Sequence, residues 1–249
     1  MNIISINRKI KAILIRLRIH RWLGFIENIF LNASYMIRLS RWVDTNRQIL
    51  IYDDFYNAQP KHGERFQLYK QILDTYTLNE ENITYLEFGV ASGTSMRWWT
   101  DHNIAPSSNF WGFDTFEGLP ERYGSLKQGV FNMKGQFPEI SDERIKFVKG
   151  LFQDTLLENI KFINFSDRVI LHIDSDLFTA ALYVLTTLFP YLKKGDLILF
   201  DEFGVPGHEF RAFVGFVDSF YLKLKPIGAI NNYLQVIFEI TEINSNRIK

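Results

Sequence analysis

Residues 83–118 read ITYLEFGVASGTSMRWWTDHNIAPSSNFWGFDTFEG. A short apolar run, Ile83 to Phe88, closes on Glu87-Phe88-Gly89. A turn of small residues follows, Val90-Ala91-Ser92-Gly93-Thr94, and then a segment able to form a helix. A second apolar run, Phe110 to Phe113, ends in Asp114. The order is strand, glycine turn, helix, strand, acid. In a parallel sheet this unit puts the glycine turn at the carboxyl end of the first strand. There Gly89 and Gly93 let a ligand come close to the backbone, and Asp114 can hold both hydroxyls of a ribose. The dinucleotide pattern G-x-G-x-x-G is absent; the turn reads G-V-A-S-G. Glu87, just ahead of the first glycine, suits a ligand with a charged amino-acid end, which favours S-adenosylmethionine over NAD. The plainer alternative is an ordinary strand-to-helix turn with an exposed Asp114.

The rest of the chain sets bounds on that unit. A length of 249 residues fits one α/β domain with a terminal extension. Lys+Arg and Asp+Glu are both 28, so the whole chain offers nucleic acid no electrostatic footprint. With 23 Phe, 11 Tyr and 5 Trp it can fill a large core and still line a pocket with rings. The absence of cysteine excludes disulfides, thiolate zinc sites and cysteine nucleophiles. It also fits a reducing compartment, so we expect a cytoplasmic protein. No apolar run reaches the roughly 18 residues of a membrane-spanning helix, and no signal peptide is evident.

Residues 1–50 differ in composition. Arg8, Lys9, Lys11, Arg16, Arg18, His20 and Arg21 all precede the first acid, Glu27, and Ile10, Ile13, Leu14 and Leu17 have helical spacing. We read a basic, mainly helical extension, with residues 51–249 as the domain proper and 83–240 as its core. Two readings stay open for the extension: a helix packed on its own domain or on a partner subunit, and attachment to an anionic membrane surface. Residues 51–65 form a loop region in which Tyr52 and Arg65 are candidate pocket contacts, and Phe66, Tyr69, Ile72 and Leu73 mark a helix leading into the first core strand. Residues 115–144, with Gly118, Gly124, Gly129, Gly135 and Pro138, form a long irregular stretch that we expect to act as a lid anchored by Phe116, Tyr123, Phe131 and Phe137.

Further strands are expected at Ile145–Val148, Arg168–Ile173 and Leu197–Phe200, with a helix starting near Asp154 or Thr155 as N-cap and another through Leu182, Leu185 and Leu188. Asn231-Asn232 between two apolar runs predicts a closing antiparallel hairpin. The expected sheet is therefore Rossmann-like, seven-stranded and mostly parallel, with a helix between most strands.

Two of these strands end in paired acids, Asp174/Asp176 and Asp201/Glu202. Neighbouring parallel strands would bring all four carboxylates to the edge that carries the glycine turn. Carboxylates so placed repel one another unless a cation or proton joins them. Oxygen donors without cysteine suit a hard ion, Mg²⁺ first. Such an ion would lower the pKa of an alcohol nucleophile and orient it towards a methyl donor. The bland alternative makes Asp174 and Asp176 helix caps. His172 shares a face with Asp174 and is expected to be a core histidine or to support the acids. His208, in a glycine-bounded loop after Glu202, is the better candidate for a general base or substrate contact.

Five ordered motifs carry a resemblance: Tyr85-Leu86-Glu87-Phe88-Gly89-Val90; Gly112-Phe113-Asp114-Thr115-Phe116-Glu117-Gly118-Leu119-Pro120; Lys149-Gly150-Leu151-Phe152-Gln153-Asp154-Thr155-Leu156; His172-Ile173-Asp174-Ser175-Asp176-Leu177; and Asp201-Glu202-Phe203. Together, over about residues 60–240, they resemble the macrocin O-methyltransferase (TylF/MycF-like) family. The resemblance implies a class I, S-adenosylmethionine-dependent enzyme that methylates a hydroxyl of a sugar, glycosylated natural product or polysaccharide, with Mg²⁺ beside the cofactor. It implies that Glu87, Gly89, Val90, Ser92, Gly93, Thr94, Asp114, Thr115, Phe116, Gln153, Asp154 and Asp174 surround the cofactor. It gives metal or catalytic roles to Asp174, Asp201 and Glu202, with Asp176 as a further candidate. One departure is Glu202, where the family often has Asp. Other classes remain open at this level: a metal-dependent glycosyltransferase using Asp174-Ser175-Asp176, or a cofactor-binding protein that transfers no methyl group. The acceptor, a small molecule or glycan, and assembly into a homo-oligomer are left open by the sequence.

Overall fold

The computed structural model describes residues 3–243. Eight strands form one sheet: β1 (Tyr52–Asp53), β2 (Ile83–Phe88), β3 (Asn109–Asp114), β4 (Ile145–Lys149), β5 (Arg168–Ile173), β6 (Leu197–Phe200), β7 (Lys223–Ile230) and β8 (Gln235–Glu242). Their order is β1-β7-β8-β6-β5-β2-β3-β4, with β8 antiparallel to both its neighbours and every other pairing parallel. This is the Rossmann-like arrangement expected. The seven predicted strands are all present, and the two-residue β1 adds an eighth at the edge beside β7. Its brevity hides it from any periodicity.

Alternation along the strands feeds two cores. Leu86, Phe88, Phe113, Leu171, Ile173, Ile198 and Phe200 face α6 (Phe152–Asn159), α7 (Phe178–Leu188) and α8 (Glu209–Phe220). Ile83, Tyr85, Phe110, Ile170, Leu197 and Leu199 face α4 (Arg65–Thr75) and α5 (Thr94–His102) through Leu68, Tyr69, Ile72, Met96 and Trp99. Each such Leu, Ile or Phe, buried from water, contributes about 2 kcal/mol. Central β2 is buried on both faces, which is why its run is apolar throughout except for Thr84 and Glu87.

Three helices precede the sheet: α1 (Ile3–Arg16), α2 (His20–Leu23) and α3 (Glu27–Asn46). Leu39 of α3 is buried, and Tyr35, Trp42 and Val43 pack beside it on the α8 side of the core. The Trp42 ring meets Phe203 at 4.8 Å and Phe238 at 5.6 Å. No helix among the described residues is long and apolar enough to cross a membrane.

One local expectation needs correction. The helix expected to start at Asp154 or Thr155 starts at Phe152 with Leu151 as its cap, and Asp154 lies in its first turn. Thr155 folds its hydroxyl back to Leu151 O (2.9 Å) rather than capping. The hairpin turn, in contrast, falls where Asn231-Asn232 placed it, with Asn231, Asn232 and Tyr233 all at positive φ (55°, 57° and 66°). Asparagine tolerates that conformation better than most residues.

Candidate active site

Strand pairing itself brings the acids together. The ladder continues one residue past each strand: Gly89 N donates to Phe113 O, Asp174 N to Phe88 O and Asp201 N to Ile173 O, each at 2.9 Å. Gly89, Asp174 and Asp201 therefore line up along one edge. Gly89 has φ +103°, and a Cβ there would overlap the carbonyl oxygen of Asp174, so only glycine allows β2 and β5 to approach this closely. Neither Asp174 nor Asp176 caps α7, whose cap is Leu177; the capping alternative fails, and Asp176 sits in a left-handed turn at φ +60°.

A cavity of about 450 Å³ opens over this edge. Gly89, Val90, Ser92 and Thr94 form its floor, and Asp114, Thr115 and Gln153 one flank. Asp174, Asp176, Asp201 and Glu202 form the acidic wall. Of the residues expected at the cofactor, Gly93, Phe116 and Asp154 do not line it. Gly93 caps α5 against Pro138, and Phe116 is buried against Phe137 and Phe147. The lid folds over the cavity through Gly118 to Glu121 and Phe131. Leu119 N donates to Val130 O and Gly129 N to Leu119 O, both at 2.9 Å, which closes the lid on itself. Of its expected anchors only Phe116 is buried; Phe131 and Phe137 are about half exposed.

Asp114 serves as a clamp. Its Oδ2 accepts the amide of Ala91 (2.8 Å) and its Oδ1 that of Phe116 (2.7 Å), joining the glycine turn to the start of the lid. A carboxylate has about four lone-pair sites, so two remain for a ligand.

The acidic wall carries its own cation. The Arg65 guanidinium lies 3.0 and 3.1 Å from the two oxygens of Asp201 and 3.8 Å from Asp174. His62 Nε2 meets Asp201 Oδ2 at 2.7 Å. Burial acts to raise Asp201, but the His62 hydrogen bond and Arg65 outweigh it and hold it below its usual value. Asp174 moves the other way, raised by burial and by Asp201. Burial also lifts Glu87 to about 8, Glu202 to about 7 and Asp176 to about 6, with the neighbouring acids adding to the effect.

Sequence reasoning missed two members of this wall. His62 lies in a short turn before α4 and reaches a residue 139 positions away, which no spacing could reveal. Glu209 is fully buried, and its two oxygens accept the amides of Ser175 (3.1 Å) and Glu202 (3.0 Å), tying the two acid-bearing turns together. Its only signal was an acid at the start of a helix. Arg65 does line the cavity, whereas Tyr52 turns to Gln67 (3.2 Å) outside it. His172 is a core histidine, accepting or donating to Tyr85 at 2.7 Å and lowered to about 4 by burial. His208 does not line the cavity; its ring stands edge-on to Tyr123 (4.7 Å), whose hydroxyl donates to Glu202 (3.4 Å).

The family profile described as macrocin-O-methyltransferase (TylF) matches residues 61–233. The chain belongs to the macrocin O-methyltransferase family. It is an S-adenosylmethionine-dependent O-methyltransferase of a family that acts on sugars. Among solved structures, the O-methyltransferase NovP is 19% identical with a TM-score of 0.52, covering 72% of this chain and 80% of that one. The calicheamicin methyltransferase CalS11 is 20% identical with a TM-score of 0.51, covering 83% and 91%. At these identities both confirm the fold. No curated protein matches the chain. The match of the TylF family starts at residue 61, just before His62, and so includes the whole cavity wall but none of α1 to α3.

Proposed function

We propose that this O-methyltransferase methylates a hydroxyl of a sugar or glycosylated acceptor, with a divalent cation, Mg²⁺ by choice, at the acidic wall. The observation that carries the reading is that one cavity joins the Gly89 turn and Asp114 to Asp174, Asp201 and Glu202.

The residues fit the cofactor. Glycine at 89 keeps the floor open to a ligand, Asp114 retains lone pairs for ribose hydroxyls, and Glu87 faces the cavity where an ammonium group would neutralise it. When bound, S-adenosylmethionine supplies an electrophilic methyl group. The chain's part is to align the acceptor with it, exclude water beneath the lid and take up the hydroxyl proton.

The residues also fit a divalent ion in chemistry. Donor atoms of His62, Asp201 and Glu202 lie within 4.8 Å of one another, as do those of His172, Asp174 and Asp201. Such an ion would lower the pKa of the acceptor hydroxyl. Asp201 belongs to both sets and is already paired with Arg65, so an ion there would share it with the guanidinium.

For the proton we favour His62 over His208, because it lines the cavity and is held by a buried carboxylate, as a general base should be; in that role it leaves the ion to the carboxylates. His62→Ala is expected to lower kcat about 100-fold with little change in cofactor affinity, measured in steady-state methyl transfer. An unchanged kcat would remove His62 from the reaction.

The deciding experiment is calorimetric titration of S-adenosylhomocysteine with Mg²⁺ and with EDTA, beside Asp114→Ala. Losing two charge-assisted hydrogen-bond acceptors should weaken binding about 100-fold or more. An unaltered affinity would take Asp114 out of the cofactor site, and no binding by the parent protein would overturn the cofactor placement. Equal turnover with Mg²⁺ and with EDTA would remove the metal.

A further inference from the structure

Residues 1–26 carry six Lys or Arg and no acid, while the remainder of the chain holds an excess of acids. In α1 and the turn that follows it, Ile6, Ile10, Ile13, Leu14 and Leu17 recur at intervals that put them on one side; Arg8, Lys9 and Arg16 take the other. The apolar face is not spent on the core. Ile10, Ile13, Leu14 and Leu17 are exposed, and beyond them Trp22 (73%), Phe25 (79%), Ile29 and Phe30 are exposed too. The apolar contacts of α3 with the core come from the stripe that holds Tyr35, Leu39, Trp42 and Val43. A solvated helix gains nothing from so much apolar surface, so something covers it.

We propose that α1, α2 and the first turns of α3 seat on an anionic lipid bilayer. Their isoleucines, leucines and aromatic rings enter the acyl boundary, and their Lys and Arg side chains lie among the head groups. Charge selects this occupant. A contact between copies would cover the apolar face but leave the basic residues without counter-charge, whereas anionic lipid meets both the apolar face and its basic flanks. The aromatic residues Trp22, Phe25 and Phe30 suit the boundary between head groups and acyl chains. The inference does not depend on the reaction assigned to the cavity.

The test is flotation of the full chain with phosphatidylcholine vesicles, with and without phosphatidylglycerol. Two variants accompany it, Leu14→Glu/Leu17→Glu and Lys9→Glu/Lys11→Glu, with thermal unfolding to show that each still folds. We expect flotation with the anionic vesicles and at least tenfold weaker binding to neutral ones. Each charge lost should weaken binding about fivefold, so the lysine variant loses about twentyfold or more. The leucine variant should not float, and the unfolding midpoints should not move. Absence of flotation with anionic vesicles overturns the proposal, as does equal flotation of parent and variants. A stable dimer in sedimentation that Leu14→Glu/Leu17→Glu dissociates, without vesicle binding, also overturns it and assigns the face to a second copy.

Discussion

Arg65→Met is expected to cost about 3–5 kcal/mol of folding stability at neutral pH, the usual result of removing one partner from a buried ion pair. Methionine keeps most of the stem's volume but leaves the carboxylate of Asp201, 1% exposed, with His62 as its one hydrogen-bond partner and His172 4.0 Å away. The direction with pH distinguishes charge from packing. Arg65 helps to hold Asp201 below its ordinary value, so the pair's contribution is present above the carboxylate range and is lost as pH falls through it. In the variant Asp201 will titrate higher, and the deficit against the parent should shrink in acid. Denaturant unfolding at several pH values reads this directly. A deficit independent of pH would mean that Arg65 acts by packing alone. Arg65→Lys retains the charge without the planar fork and should fall between the two. If a divalent ion uses these acids, Mg²⁺ will stabilise the methionine variant more than the parent, by mass action.

Glu87→Gln should remove a large part of the pH dependence of stability. With a value raised to about 8, chiefly by burial, Glu87 is mostly protonated at neutral pH. A raised acid is stabilising in its neutral form, so its contribution is full below the unfolded value near 4.5 and disappears as pH rises through about 8. The span corresponds to a stability change on the order of 5 kcal/mol. The parent should lose stability from mildly acidic to alkaline conditions, and the glutamine variant should lose much less. Parallel curves would show that Glu87 is ionised throughout. The same protonation bears on the cofactor placement. An ammonium group arriving beside Glu87 would ionise it, so binding should release a proton near pH 7. Calorimetry in buffers of different ionisation enthalpy measures that proton, and it should vanish in Glu87→Gln.

The sequence was most legible where chemistry coincides with the end of a strand. Gly89, Asp114, Asp174 and Asp201 each follow or finish an apolar run, and parallel pairing carries every such position to one edge. Knowing the strands was therefore enough to predict their convergence. What escaped were contacts set by tertiary packing. His62 reaches Asp201 only because α4 packs on β7, and Glu209 bridges two turns only because α8 starts between them. His208 illustrates the converse: closeness in sequence to Asp201 and Glu202 placed it in the candidate set, yet the turn directs its ring to Tyr123. The helix at Phe152 shows the limit of capping rules, since an Asp in the first turn can favour a helix start through the dipole without being the cap.

Glu209 has one more consequence. As the first residue of α8 it fixes the separation of Ser175 and Glu202, while the next residue, Phe210, meets Tyr35 of α3 edge to face at 6.5 Å. Asn32, one turn earlier in α3, presses on Gly207, where even a methyl group would collide with its side chain. The helices outside the family match thus bear on a lever whose short end is a single carboxyl group at the acidic wall. By linkage, a ligand that shifted α3 against α8 and with it the Glu202 turn would alter acceptor affinity, and acceptor would then alter that ligand's affinity by the same factor.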